Sequence, residues 1–161
     1  MLVRDFAQQD VGAANALTNH FIEHTTVHWG QTPAADAEFA RLWRSGSKTH
    51  PWLVAELDGR FAGYAKASVW RERDAYSRTA ETTVYVSLDK HRRGVGRILM
   101  QALLDRLRAA GFHAAVAGIA LPNDPSIRLH EALGFTYVGT FHEVGWKFGR
   151  WLDAGFWELK L

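Results

Sequence analysis

The chain has 161 residues, 47% of them hydrophobic and 22% charged, with a formal net charge of +2 and no cysteine. That balance is globular rather than disordered, and so slight a cationic excess does not by itself argue for a nucleic-acid partner. Without cysteine there is no disulfide framework, no thiolate nucleophile and no cysteine-based metal site. The opening MLVRDFAQQD has no charged-then-apolar leader pattern, and no apolar run approaches the length of about 18 residues that spans a membrane. The expectation is one soluble, cytoplasmic domain over residues 1–161 with a single sizeable core.

Leu2 to Phe6 is a short strand candidate, and Asp10 stands where it can cap a helix whose apolar face is Val11, Ala14, Leu17 and Phe21. His24 to Gly30 follows as a loop in which two histidines and Trp29 read equally as substrate contacts or as plain connection. Thr32-Pro33 has the form of an N-cap with proline at the first helical position, opening a helix that buries Phe39, Leu42 and Trp43 and closes at Ser45-Gly46-Ser47. Trp52 to Leu57 reads as a strand, Asp58-Gly59 as a two-residue hairpin turn, and Phe61 to Val69 as its antiparallel return. A charged loop, Trp70 to Arg78, leads into the next strand, close enough for its arginines and tyrosine to reach whatever that strand's end binds.

From Glu81 to Ser87 side chains alternate with period two, the mark of a strand. Val95, Leu99, Leu103 and Leu107, with Ile98 and Ala102 beside them, then repeat as one helix face, and Gly111 stands at a left-handed stop. Between strand and helix lies His91-Arg92-Arg93-Gly94-Val95-Gly96, followed by Arg97. A helix start presents unpartnered N–H groups and the positive end of its dipole. Two glycines let an anion approach, and three arginines add charge, so the turn reads as a phosphate or diphosphate cradle. Leucine at 99 excludes the dinucleotide fingerprint, and no Gly-Lys-Ser/Thr of a P-loop occurs.

His113 to Ile119 is apolar without alternation, a strand buried on both faces. Leu121 to Pro125 breaks it; Asp124 caps and Pro125 starts a short helix through Ile127, Leu129 and Leu133, stopped by Gly134. Phe135 to Phe141 is a further strand, Val144 to Trp151 an aromatic-basic connector, and Gly155 to Leu161 the last strand. This order predicts an α/β (α+β) fold with a mixed sheet and helices on both faces.

The segment TVYVSLDKHRRGVGRILMQALL, with Asn123, SIRLHEALGF and the ending VGWKFGRWLDAGFW, resembles the GNAT-type N-acetyltransferases. It is most similar to their phosphinothricin and methionine sulfoximine or sulfone branch, and the resemblance spans nearly the whole chain. It implies a mostly antiparallel sheet that splays at its fourth strand. There the backbone of Val84, Tyr85 and Val86 would bind the pantetheine arm of acetyl-CoA, the co-substrate, with no metal. Arg92, Arg93, Gly94, Val95, Gly96 and Arg97 would wrap the diphosphate, and Asn123 would touch the arm beyond the split. His91 departs from the Gln or Arg that the family prefers there.

The resemblance also assigns a base role to Glu81, and places His130 where many relatives carry an acidic tyrosine, so that it could donate to the leaving thiolate or take the amine proton. An α-amine with a pKa of roughly 8 is about one-tenth neutral at pH 7, so deprotonation costs only about 1.4 kcal/mol and positioning dominates. For the acceptor, the branch's basic-x-Arg-x-x-Tyr pattern falls on Arg71, Arg73, Asp74 and Tyr76, and guanidinium forks suit carboxylate, phosphinate or sulfone oxygens. Trp29 is a candidate pocket wall, although Trp29 to Pro33 lacks the arginine of the family's corresponding loop. The resemblance further implies a homodimer, with Trp146 to Trp151 in the contact, and a small amine substrate rather than nucleic acid or membrane. Competing readings are an acyl-CoA-binding regulatory module without turnover, and acetylation of another amine or a protein N-terminus.

Overall fold

The computed structural model describes residues 1–161. Its strands are β1 (Leu2–Asp5), β2 (Trp52–Leu57), β3 (Arg60–Val69), β4 (Thr79–Val86), β5 (Ala114–Leu121), β6 (Thr136–Lys147) and β7 (Arg150–Lys160). Its helices are α1 (Val11–His24), α2 (Asp36–Gly46), α3 (Val95–Ala109) and α4 (Asp124–Ala132). The seven strands form one sheet in the order β1-β2-β3-β4-β5-β7-β6, antiparallel everywhere except between β4 and β5. No helix is long and apolar enough to cross a membrane.

Two cores lie on opposite faces. Leu99, Met100, Leu103, Leu104 and Leu107 of α3 bury against Leu53, Ala65, Ala67, Ala115, Ala117 and Ile119, with Ile127 and Leu129 of α4 packed alongside. The run of alanines keeps the sheet side of this interface thin, so the leucine ridge of α3 settles close to it. On the other face α1 and α2 enclose an aromatic core of Phe6, Phe39, Trp52 and Tyr64, whose rings meet mostly edge to face. Val95, Leu99, Leu103 and Leu107 are all buried, as the four-residue repeat predicts, but the stripe is widened by Met100 and Leu104 rather than by Ile98, which is exposed.

Several sequence-based boundaries are corrected. Asp10 does not cap α1; its carboxylate accepts the Ala7 amide at 2.8 Å and forms a two-pronged pair with Arg4, whose guanidinium also reaches Glu56. This ties β1 to β2. The second helix opens at Asp36 with Ala35 as its cap, not at Thr32-Pro33, because Asn15 and Asn19 of α1 hold the Ala34 carbonyl and amide and so keep that segment extended. Leu42 is exposed rather than buried. Asn123, not Asp124, caps α4, accepting the Ser126 amide at 3.3 Å. The connector expected from Val144 to Trp151 is instead the tip of a long β6–β7 hairpin that turns at Phe148-Gly149, where both residues have positive φ. β7 returns between β5 and β6.

What positions a site is the β4–β5 junction. The two strands pair only from Thr79 to Glu81, opposite Ala114 to Val116, and then part. The Thr82 hydroxyl donates to the Val116 carbonyl at 3.3 Å across the angle where they separate. β4 stays paired to β3 through Val86, where Gly63 lies so close that a Cβ on it would fall 2.5 Å from the Tyr85 carbonyl oxygen. Gly63→Ala must therefore push β4 outward at its free end. A loss of about 1–3 kcal/mol in urea unfolding is expected, and an unchanged midpoint would contradict this packing.

Candidate active site

Beyond Glu81 the inner edge of β4 has no strand partner, while β5 remains paired to β7 through Leu121. The result is a cleft of about 100 Å³ lined by Glu81 to Tyr85 on one side, Ala117 to Ala120 on the other, and Asn123, Ser126 and His130 of α4 at its end. Glu81, His130, Val84, Tyr85 and Asn123, predicted separately from the sequence, are thus brought together. Backbone amides and carbonyls on an unpaired strand edge demand partners, so the cleft suits an extended ligand carrying amide groups.

At its mouth α3 begins. Arg92 and Gly94 are both left-handed, with φ of 61° and 78°. The first intrahelical bond is Ile98 N–H to Gly94 O at 3.1 Å, which leaves the preceding amides of Val95, Gly96 and Arg97 free for an anion. Arg92, Arg93 and Arg97 are exposed around them. The two glycines do different jobs: a Cβ on Gly94 would meet open space, but one on Gly96 would sit 3.4 Å from Val86 and 3.5 Å from Leu129. Gly94 therefore supplies the backbone turn, while at Gly96 a Cβ would only touch Val86 and Leu129 at ordinary contact distance, placing the start of α3 beside β4 and α4. The His91 ring lies 3.1 Å from the Val86 carbonyl, pinning the turn to the end of β4.

Glu81 and His130 are both perturbed. Burial raises the Glu81 carboxyl above its ordinary value, and the positive charge of Lys66 opposes the shift. Burial lowers His130, only 4% exposed, so its imidazole is neutral near pH 7. Its Nδ1 lies 2.8 Å from the Ser126 carbonyl, which can only accept, so Nδ1 carries the proton. Nε2 is left buried, unprotonated and without a partner. A histidine held in this tautomer takes a proton at Nε2 rather than giving one.

The other predicted residues are not drawn into the cleft. Arg73, Asp74 and Tyr76 are exposed on a short 3-10 turn, Asp74–Tyr76. Arg71 stacks its guanidinium over Trp70, 5.0 Å from the ring centroid, beside a separate apolar hollow of about 400 Å³ with Phe141 and Phe156. Trp29 packs flat against the backbone of Gly145 in β6. Three contributors were absent from the sequence reading. Lys66 on β3 faces the same side of the sheet as Glu81. Lys147 is buried, donating to the carbonyls of Ile22 at 2.6 Å and His28 at 2.5 Å, and so fastens the loop after α1 to the hairpin. Gly118 is a glycine inside an apolar strand, a pattern that signals close approach. A Cβ there would stand 3.4 Å from Glu81 Oε1 and 3.1 Å from the Phe156 ring.

The arrangement combines an unpaired strand edge, a buried carboxylate and imidazole in one cleft, and a helix start with free amides flanked by arginines. The chain belongs to the acetyltransferase (GNAT) family, which it matches over residues 14–135. It is 44% identical to the phosphinothricin N-acetyltransferase of Streptomyces viridochromogenes across 97% of this chain and 85% of that protein. It is 38% identical to the L-methionine sulfoximine/L-methionine sulfone acetyltransferase of Salmonella typhimurium across 100% and 95%. Among solved structures, the phosphinothricin acetyltransferase of Sinorhizobium meliloti in complex with acetyl-CoA superposes with a TM-score of 0.96 at 32% identity, covering 99% of this chain and 88% of that one.

A Cβ at position 118 would press on the Phe156 ring and reach contact with Glu81 Oε1, so the bulkier, branched Gly118→Val should displace both side chains. Turnover is expected to fall on the order of 100-fold, as a misplacement of about an ångström does. Steady-state thiol-release rates on the folded variant check this, and near-normal turnover would show the Glu81 position to be immaterial.

Proposed function

We propose that the chain transfers the acetyl group of acetyl-CoA to the α-amine of a small amino-acid-like acceptor of the phosphinothricin or methionine sulfoximine and sulfone type. The observation that carries this reading is the parting of β4 from β5 immediately after Glu81, which opens a cleft lined by a free strand edge and two perturbed acid–base groups, with the cationic helix start following the end of β4. The edge at Val84, Tyr85 and Val86 binds the pantetheine amides as an added strand would, and Arg92 to Arg97 hold the diphosphate. Asn123 bounds the arm, its own side chain being committed to capping α4.

Acetyl-CoA supplies an already activated acyl group, so the chain needs no covalent intermediate of its own. Glu81 takes a proton from the acceptor's ammonium so that a neutral amine can attack. The C–N bond forms at the acyl carbon, the C–S bond breaks, and the coenzyme departs as a thiolate; the nitrogen gives up its second proton to His130 Nε2, which can pass it to the thiolate so that the thiol is released. The exposed turn of Arg71, Arg73, Asp74 and Tyr76, with Trp29, meets the acceptor's distal group at a subunit boundary. A homodimer is supported by the β6–β7 hairpin, which leaves Phe141, Val144, Trp146, Phe148 and Trp151 each more than half exposed, and exposed large apolar groups concentrated on one element mark association surfaces. The reading is of a cytoplasmic enzyme, where acetyl-CoA is available.

Thiol release with phosphinothricin, methionine sulfoximine, methionine sulfone and unrelated amines tests the reaction; acetyl-CoA binding without release for any of them would favour a binding module. Because Glu81 must be ionised to act and its carboxyl is raised by burial, kcat/KM should fall on acidification at a pH above the usual carboxylate range. Glu81→Gln is expected to cost about 100-fold and to move that limb, leaving only the fall set by His130; a limb unmoved by the substitution would remove Glu81 from the base role. Trp151→Glu should convert a species of twice the chain mass into a monomer by light scattering, and a wild type already monomeric would refute the dimer.

A further inference from the structure

On the α1–α2 side of the sheet, next to the cleft, lies a second cavity of about 190 Å³. Thr83 and Tyr85 line both, so they form the wall between them. The second cavity is bounded by Asn15, Asn19, His28 and Lys66 among others, and no acidic residue lines it. Lys66 has no carboxylate within 4.0 Å and no hydrogen-bond acceptor; its Nζ rests 4.7 Å from the centroid of the Trp52 ring. Burial pulls its ammonium below the ordinary lysine value, as expected of a cation lacking a counter-ion, and the Glu81 charge opposes that shift. His28 adds a donor. Its Nδ1 accepts the Gly30 amide at 2.8 Å, and burial with the nearby lysine charges keeps the ring neutral, so Nε2 carries a proton. Burial likewise holds the Tyr85 phenol protonated. The cavity therefore offers a cation and neutral donors, with no anion of its own.

The register fixes how this cavity relates to the chemistry. Lys66 pairs with Thr83 and Ser68 with Glu81, so Lys66 and Glu81 occupy the same face one diagonal step apart, a separation of about 7–8 Å along a sheet. Both side chains are long enough to meet groups attached to a single carbon between them, the lysine by swinging from its place over Trp52 of β2. An α-amino acid carries an amine and a carboxylate on one carbon.

We propose that Lys66, with the Nε2–H of His28, anchors the α-carboxylate of the acceptor, turning its amine toward Glu81 and making the enzyme select free amino acids over their carboxyl-blocked forms. This rests on the acetyl-transfer reading above and extends it: the exposed arginine turn is left to the acceptor's distal group, while the carboxylate is bound inside the subunit.

The test compares L-methionine sulfone with its carboxamide, which keeps the amine and loses the negative charge. At about pH 7.5, between the carboxylate and ammonium ranges, wild type should favour the free acid. Lys66→Met should cut that preference by about 10- to 100-fold, the usual worth of a hydrogen-bonded charge, through KM and with little change for the carboxamide. Lys66→Arg should restore part of it. An equal fall for both acceptors would overturn the proposal, since that is what acting only on Glu81 or on the fold predicts. An unchanged preference would overturn it too, leaving a water-filled cavity. Calorimetry of both compounds, with coenzyme A present, reads the same preference without turnover. Selective binding lost in Lys66→Met would support the anchor even if no thiol were released, a result that would count against the acetyl-transfer reading alone. Equal binding of the two compounds to wild type would overturn the anchor.

Discussion

The architecture depends on a hydrogen-bond ladder that stops. β4 and β5 begin as neighbours in a parallel pair, exchange bonds over three residues, and separate with Thr82 bridging the angle. A strand edge left unpaired inside a protein is an energetic debit unless something fills it, and the rest of the fold keeps the gap open rather than closing it. α3 packs its leucines under β2 to β5 and holds the sheet from one face. α4 caps the far end of the cleft. β7, inserted between β5 and β6, satisfies the outer edge of β5 and holds that strand away from β4.

The same separation explains the unusual protonation states. Glu81 is the last residue of β4 to have β5 beside it, so it is shielded by both strands and still opens onto the cleft. His130 comes from a helix whose turn geometry points Nδ1 at its own backbone carbonyl four residues earlier. Neither shift requires a special charge cluster. Each follows from placing a polar side chain at the edge of an apolar wedge, where desolvation is the largest influence.

Much of this was legible in the sequence because it is local. The alternation from Glu81 to Ser87, the glycine turn and the leucine repeat each describe a few consecutive residues, and a strand followed by an anion-binding helix start can be read directly from them. The helix caps were less legible: Asp10 has the right chemistry but its carboxylate is taken by Arg4 and the Ala7 amide just before it, and the segment after Thr32 is held extended by Asn15 and Asn19, fifteen or more residues away. The hairpin of β6 and β7 was hidden because its register shifts near Tyr137 and again after Phe141 interrupt any period-two pattern. Lys66 was invisible for a different reason. A lysine in a strand ordinarily points into solvent, and only the β3–β4 register together with the helices above shows that this one is partly buried beside a cavity.

Lys147 deserves a last consideration. It grows from the aromatic hairpin, yet its ammonium ends on the carbonyls of Ile22 and His28. His28 in turn borders the cavity that holds Lys66. One side chain thereby ties the exposed ribbon to the wall of the inner cavity, so a substitution that shifts the ribbon is felt at the cavity as well.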